Sequence, residues 1–117
     1  MKRLEETFFM FTDPVTPGSR FWEGLRISAA FVGMDHIPVI VFMDEAVKGL
    51  LPNALQEQQL KDYLKTTADL AGIHVLDISL EDLGLKDSDL DPTLNVKVVT
   101  LDEIAERAAE CRLMAVF

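Results

Sequence analysis

The stretch Val39-Ile40-Val41-Phe42-Met43 is five apolar residues in a row, and the acidic pair Asp44-Glu45 follows it directly. Continuous apolar runs of this length are typical of parallel strands that helices cover on both faces. Pro38 stands at the start of the run, where a missing backbone N–H is tolerated. The sequence therefore predicts a central parallel strand over residues 37–43.

Similar apolar runs alternate with segments of helical periodicity on either side of this strand. Further strands are predicted over residues 7–11, 73–78, 96–100 and 113–117, and helices over 20–32, 44–51, 54–71, 79–84 and 101–110. The alternation is typical of α/β proteins. We expect a three-layer α/β/α sandwich around a mainly parallel five-stranded sheet, formed by one domain over residues 1–117.

Two helix starts carry capping signals. Thr100-Leu101-Asp102-Glu103 is a capping box, with threonine at the N-cap and glutamate three residues later. Ser79 is predicted as the N-cap of the helix over 79–84. The inward side chains predicted for the last helix are Leu101, Ile104, Ala105 and Ala108.

Composition excludes several classes of protein. The 117 residues carry a formal net charge of −9, and the 11 basic residues are scattered, which argues against direct nucleic-acid binding. No apolar run approaches the ~20 residues of a membrane span, and acidic residues come too early for a signal peptide. One cysteine rules out an internal disulfide and favours a cytoplasmic location. The 49% hydrophobic content indicates an oligomer.

Polar residues follow the predicted strands, and ligands of parallel sheets gather at the strands' carboxyl ends. We expect a crevice there for a partner or a small ligand, formed by Asp13, Ser19, Arg20, Glu23, Asp44 and Glu45. The segment 13–20 could bind an anion at a helix N-terminus, although it matches neither the P-loop nor the dinucleotide-binding pattern. The alternatives are a plain loop at 13–20, a capping role for Asp44-Glu45, and a solvent-facing Glu23.

Cys111 is the only candidate nucleophile. It stands seven residues after Ile104, so the pattern predicts a buried position on the last helix. The helix C-terminus and Glu110 both oppose a thiolate there, and Arg112 offsets this in part. An inert buried cysteine is predicted, with a persulfide carrier as the alternative. His36 and His74 lack ligand-spaced partners, so we expect no metal and no cofactor.

Three segments together resemble the DsrE/DsrF-like family, with greatest similarity to its TusC/DsrF branch. Residues 17–31 are similar to the first helix of that branch through Glu23-Gly24-Leu25 and the alanine-rich stretch after it. Residues 42–52 resemble its exit from the second strand, and residues 79–85 its next helix. The resemblance implies a five-stranded parallel sheet of the DsrEFH type, similar to flavodoxin-like and Rossmann-like folds, and homo- or hetero-oligomers of family subunits.

The resemblance also implies a role in cytoplasmic sulfur relay, for tRNA thiolation or sulfur oxidation. In the DsrE/TusD branch a cysteine after the third strand carries the persulfide, but the matching Val75-Leu76-Asp77-Ile78 holds no thiol. We therefore expect a non-catalytic subunit whose partner supplies the thiol. The alternatives are a sulfurtransferase that uses Cys111, and a small-ligand or nucleotide-binding module that uses the 13–20 loop and Asp44.

Overall fold

The computed structural model describes residues 7–117, so the prediction made on the first six residues, the absence of a signal peptide, lies outside that range. Five strands form one sheet in the order β4-β3-β2-β1-β5. All four neighbouring pairs are parallel, which confirms the predicted α/β fold. The strands are β1 (Thr7–Phe11), β2 (Val39–Phe42), β3 (His74–Leu76), β4 (Lys97–Val99) and β5 (Leu113–Val116).

Helical segments connect the strands. They are α1 (Arg20–Gly33), a 3₁₀ segment (Asp44–Leu50), α2 (Gln58–Leu70), α3 (Asp77–Asp82), 3₁₀ turns at Asp87–Asp89 and Pro92–Leu94, and α4 (Leu101–Ala109). The predicted helix over 54–71 therefore begins four residues late. Pro52 and the left-handed Asn53 (φ 62°) form a turn, and the backbone is still extended at Glu57 (φ −83°, ψ 132°), the residue before the helix. No helix within residues 7–117 is long and apolar enough to span a membrane.

The two central strands are apolar throughout because both of their faces are buried. Phe8 pairs with Val39 and Phe11 pairs with Phe42. Phe9, Phe11, Ile40 and Phe42 belong to the core on one face of the sheet, and Phe8, Val39 and Val41 to the core on the other. Successive side chains of a strand point to opposite faces, so an apolar run without polar breaks fits a middle layer.

The first face holds the larger core, which α1, α2 and the 3₁₀ segment cover. The predicted inward residues Phe21, Leu25 and Ser28 of α1 are buried, and so are Leu60, Leu64 and Thr67 of α2. Here the 3.6-residue periodicity identified the correct helix faces.

The second face is covered by α4, which carries the chain from β4 at one edge of the sheet to β5 at the other. The predicted capping box is present, since Glu103 N donates to Thr100 Oγ1 at 3.2 Å and Thr100 N donates to Glu103 Oε1 at 3.0 Å. The prediction of the inward side chains was confirmed for Ile104 and for Ala108, which packs half-buried against the same core, and was wrong for Leu101 and Ala105. Ile104 is buried, but Leu101 is 56% exposed. A nine-residue helix that crosses the sheet in this way contacts it along a narrow line.

Candidate functional site

The carboxyl ends of β1 and β2 lie side by side and bring two predicted acidic residues to the same end of the sheet. Phe11 is paired with Phe42, and Met43 N donates to Phe11 O at 2.9 Å. Asp13 and Asp44 each follow two residues beyond this pair. The strands of a sheet are about 4.8 Å apart, so the two segments leave the sheet as close neighbours.

The loop that contains Asp13 is held together by its own polar groups. Asp13 Oδ2 accepts from Arg20 N at 3.1 Å and lies 3.5 Å from Arg20 Nε. Ser19 is the N-cap of α1, where its hydroxyl accepts from Phe21 N at 3.3 Å and donates to Pro14 O at 2.7 Å. The Ser19 hydroxyl and the Arg20 N–H are therefore used to close the loop.

Asp44 has an unusual backbone conformation that a buried hydroxyl stabilises. Its φ is 54°, in the left-handed region that residues other than glycine, asparagine and aspartate rarely adopt. Its N–H donates to Ser79 Oγ at 3.0 Å, across 35 residues of chain, and Ser79 is 4% exposed. This hydrogen bond holds the backbone of Asp44 in place, whereas Asp44 itself is an exposed residue whose carboxylate is at the surface. No side chain caps the 3₁₀ segment with a hydrogen bond, but Asp44 and Glu45 both stand in its first turn, where the alternative interpretation places acids at the positive end of the helix dipole.

The prediction that Ser79 is an N-cap was wrong, and the correction gives this residue its place in the site. β3 ends at Leu76 and α3 begins at Asp77, whose Oδ1 accepts from Ile78 N at 2.7 Å. Ser79 is therefore the third residue of α3, and its side chain points toward Asp44. As the sequence shows, the exit of β3 carries no thiol.

The other two predicted acids form ion pairs within their own helical segments. Glu45 lies 2.9 Å from Lys48 Nζ, and Glu23 lies 2.7 Å from Arg26 Nη2. The hydrogen bond and the charge of Arg26 lower the pKa of the Glu23 carboxyl from its usual 4.5. All four side chains are more than half exposed. The structure thus groups Asp13 with Ser19 and Arg20. Asp44 contacts Ser79 through its backbone N–H, and Glu23 and Glu45 pair with residues of their own helical segments.

Cys111 lies at the opposite, amino end of the sheet. The expectation of a buried helical cysteine was wrong, because α4 ends at Ala109 and Cys111 falls half-buried in the turn before β5. It packs against the core of the second face, and its Sγ donates to Arg107 O at 3.2 Å. The residues of β5 separate it from the carboxyl end by roughly 13 Å or more at about 3.3 Å per residue.

Sequence reasoning missed two cavities. One of about 270 Å³ lies beside α2 and includes Lys61. The other, of about 240 Å³, lies under α4 and includes Lys97 and His74, whose Nδ1 is 3.0 Å from Ile40 O. The sequence signal for the cavity beside α2 was the pair Lys61 and Lys65, which stand four residues apart on that helix. Within residues 7–117 no group of three or more His, Cys, Asp or Glu side chains could hold a metal.

Replacing Ser79 with alanine should destabilise the protein by about 1–3 kcal/mol, because the Asp44 N–H loses its acceptor in a partly buried place. Urea unfolding followed by circular dichroism measures the loss. Ser88→Ala is the matched control, since Ser88 is exposed, and it should change stability by less than about 0.5 kcal/mol. Equal stability of the two variants would show that the hydroxyl does not support Asp44.

Comparison with known proteins now adds to this geometry. The model of the DsrE/DsrF-like family matches residues 5–116. No curated protein matches the chain. Among solved structures, the crystal structure of the ychN protein from E. coli superposes with a TM-score of 0.78, over 97% of this chain and 100% of that one. At 18% sequence identity, this likeness shows a shared fold. Because the family match covers nearly the whole sequence, the chain belongs to the DsrE/DsrF-like family.

Proposed function

We propose that this protein is a non-catalytic subunit of a sulfur-relay assembly, in which a partner subunit of the same family supplies the thiol that carries sulfur. Membership of the DsrE/DsrF-like family supports a role related to sulfur relay. We further propose that the protein belongs to the TusC/DsrF branch, forms a single domain over residues 1–117 and is cytoplasmic. The relay would serve tRNA thiolation or sulfur oxidation.

The position of the thiol is the observation that carries the proposal. Cys111 lies at the amino end of the sheet, whereas Asp13, Asp44 and Ser79 lie at the carboxyl end. A persulfide carrier needs an exposed thiolate. Cys111 is half-buried and follows the C-terminus of α4, where the helix dipole disfavours negative charge.

The edge strand β5 supports assembly with other subunits. Leu113, Met114 and Val116 are 64%, 53% and 44% exposed, although all three are apolar. An exposed apolar edge strand is a site where another chain can pair or pack, and soluble proteins usually protect it. A homo-oligomer or a hetero-oligomer would cover β5. In this role the carboxyl end of the sheet, with Asp13 and Asp44, would form an acidic wall beside the partner's thiol.

The nucleotide-binding alternative is not part of the proposal. Ser19 and Arg20 are the side chains it needs for a phosphate. The Ser19 hydroxyl donates to Pro14 O, and Arg20 Nε lies 3.5 Å from Asp13 Oδ2.

A reconstituted relay tests the proposal. The chain is co-purified with a thiol-bearing DsrE-family subunit, sulfur is loaded from a cysteine desulfurase and cysteine, and persulfides are trapped by alkylation. We expect an adduct heavier by about 32 Da on the partner's thiol and none on Cys111. Cys111→Ser should support the same rate of transfer as the unmodified chain. A persulfide on Cys111, or loss of transfer in the serine variant, would instead establish the sulfurtransferase alternative.

Two controls accompany this experiment. Asp44→Asn removes the carboxylate but keeps a residue type that tolerates left-handed φ, so slower transfer in this variant would assign a role to the charge. Light scattering of the chain, alone and with the partner, reports assembly. A monomer at micromolar concentration that captures no family subunit would contradict the proposal.

A further inference from the structure

A cavity of about 270 Å³ is formed by the end of the 3₁₀ segment, residues 51–55, α2 and the segment that precedes β4. Its apolar wall includes Leu55, Leu64 and Leu94, which are 5%, 5% and 4% exposed. Its polar rim is formed by Asn53, Lys61, Asp62 and Asp91. Apolar walls with a few convergent polar groups are typical of small-molecule sites.

Lys61 and Lys65 both line the cavity, one helical turn apart on α2, but their environments differ. Lys65 Nζ lies 3.1 Å from Asp69 Oδ1 and donates to Thr93 O at 2.9 Å, so it ties α2 to the following loop. Lys61 forms no ion pair with any residue from 7 to 117. Its ammonium group is available to a ligand.

The two carboxylates of the cavity contact neutral donors. Asp91 Oδ1 accepts from Thr93 N at 2.9 Å and from Thr93 Oγ1 at 2.7 Å. Asp62 Oδ1 accepts from Gln58 Nε2 at 2.9 Å. Neither carboxylate forms an ion pair with a residue from 7 to 117. The two carboxylates would repel a ligand that carries only negative charge, and Lys61 would repel a ligand that carries only positive charge. A ligand with one negative and one positive group can pair with Lys61 and with a carboxylate at the same time.

The size of the cavity also limits the class of ligand that it can bind. Its volume of about 270 Å³ lies just under the roughly 300–1,000 Å³ of pockets for drug-sized ligands and fits a smaller molecule. We propose that this cavity binds a free α-amino acid with an apolar side chain. Lys61 binds the carboxylate, Asp91 binds the ammonium group, and the leucine wall contacts the side chain. This inference is independent of the proposed relay role, since it involves neither Cys111 nor a partner subunit.

Titration of the ¹⁵N-labelled chain with L-methionine tests the inference. We expect saturable shifts of the Asn53, Lys61 and Thr93 amides, with a dissociation constant on the order of 1 mM for so small a ligand. N-acetyl-L-methionine lacks the ammonium group and L-methioninamide lacks the carboxylate. Each analogue should bind at least tenfold more weakly. Equal binding of the three compounds, or no saturable shift, would overturn the proposal.

Matched variants locate the ligand. Lys61→Gln and Asp91→Asn should each weaken L-methionine binding at least tenfold. Asparagine also caps helical turns, so the second variant keeps the contact with Thr93 N. Lys97→Gln is the control, because Lys97 lines the other cavity and should leave the affinity unchanged. Loss of binding in Lys97→Gln with full binding in Lys61→Gln would refute the assignment to this cavity.

Discussion

Replacing Phe11 with alanine is expected to lower the free energy of unfolding by about 3–5 kcal/mol, the range found for buried aromatic residues. Phe11 is fully buried at the centre of an aromatic cluster. Its ring stacks on Phe42 with 4.5 Å between centroids, meets Phe21 edge-on at 5.6 Å and lies 5.3 Å from Phe117. Alanine would remove these contacts and leave a cavity that the rigid strands cannot close. Urea unfolding should show a lower midpoint with an unchanged m-value.

Phe31→Ala provides the matched control for this substitution. Phe31 lies on α1 at the border of the same core, half-buried, with its ring 5.0 Å from Phe9. We expect less than half of the Phe11 effect, because water already reaches this side chain and the truncation leaves a smaller cavity. Equal losses from the two variants would mean that the centre of the core lies elsewhere.

The cluster around Phe11 also determines the geometry of the candidate site. Phe11 is the last residue of β1 and Phe42 the last of β2, and the loops that carry Asp13 and Asp44 begin directly after them. The stacked pair therefore fixes where both loops leave the sheet. A small residue at either position would loosen the carboxyl end as well as the core.

The fold could be predicted from the sequence because its central strands are continuous apolar runs. The end of β1 was predicted to the residue, since the polar residues of the following loop begin directly after Phe11. β3 was predicted as 73–78 but ends at Leu76, because Asp77 begins α3. The place of β5 beside β1 could not be predicted from local patterns. It depends on which edge of the sheet α4 reaches.

The site could be predicted only where its contacts are local. The pairs Glu23–Arg26 and Glu45–Lys48 are three residues apart on helical segments, a spacing that the sequence displays. The contact of Asp44 with Ser79 joins residues 35 positions apart, and no sequence pattern encodes it. The exposure of Cys111 depended on the residue at which α4 ends, and helix ends are the least regular part of a periodic pattern.

The second large effect is expected for Gly24→Ala. Gly24 is buried in α1, where a Cβ would stand 2.5 Å from Phe11 Cε2 and 2.6 Å from Phe117 Cγ. Both rings are held in the core, so the helix must move away from the sheet. Overpacking of this kind costs about 1–3 kcal/mol, more than the roughly 0.5–1 kcal/mol that alanine gains in a helix. We expect a net loss of about 1–2 kcal/mol and a melting temperature lower by roughly 3–10 °C in differential scanning calorimetry.

Gly33→Ala isolates the packing effect from the helix propensity. Gly33 is the last residue of the same helix, and a Cβ there would meet nothing within 4 Å. Its backbone is not left-handed, so alanine should leave stability unchanged or raise it by up to about 1 kcal/mol. Opposite signs for the two variants would show that the glycine of Glu23-Gly24-Leu25 allows α1 to approach the Phe11 and Phe117 rings. A Gly24→Ala protein as stable as Gly33→Ala would mean that α1 stands farther from the sheet than the structure places it.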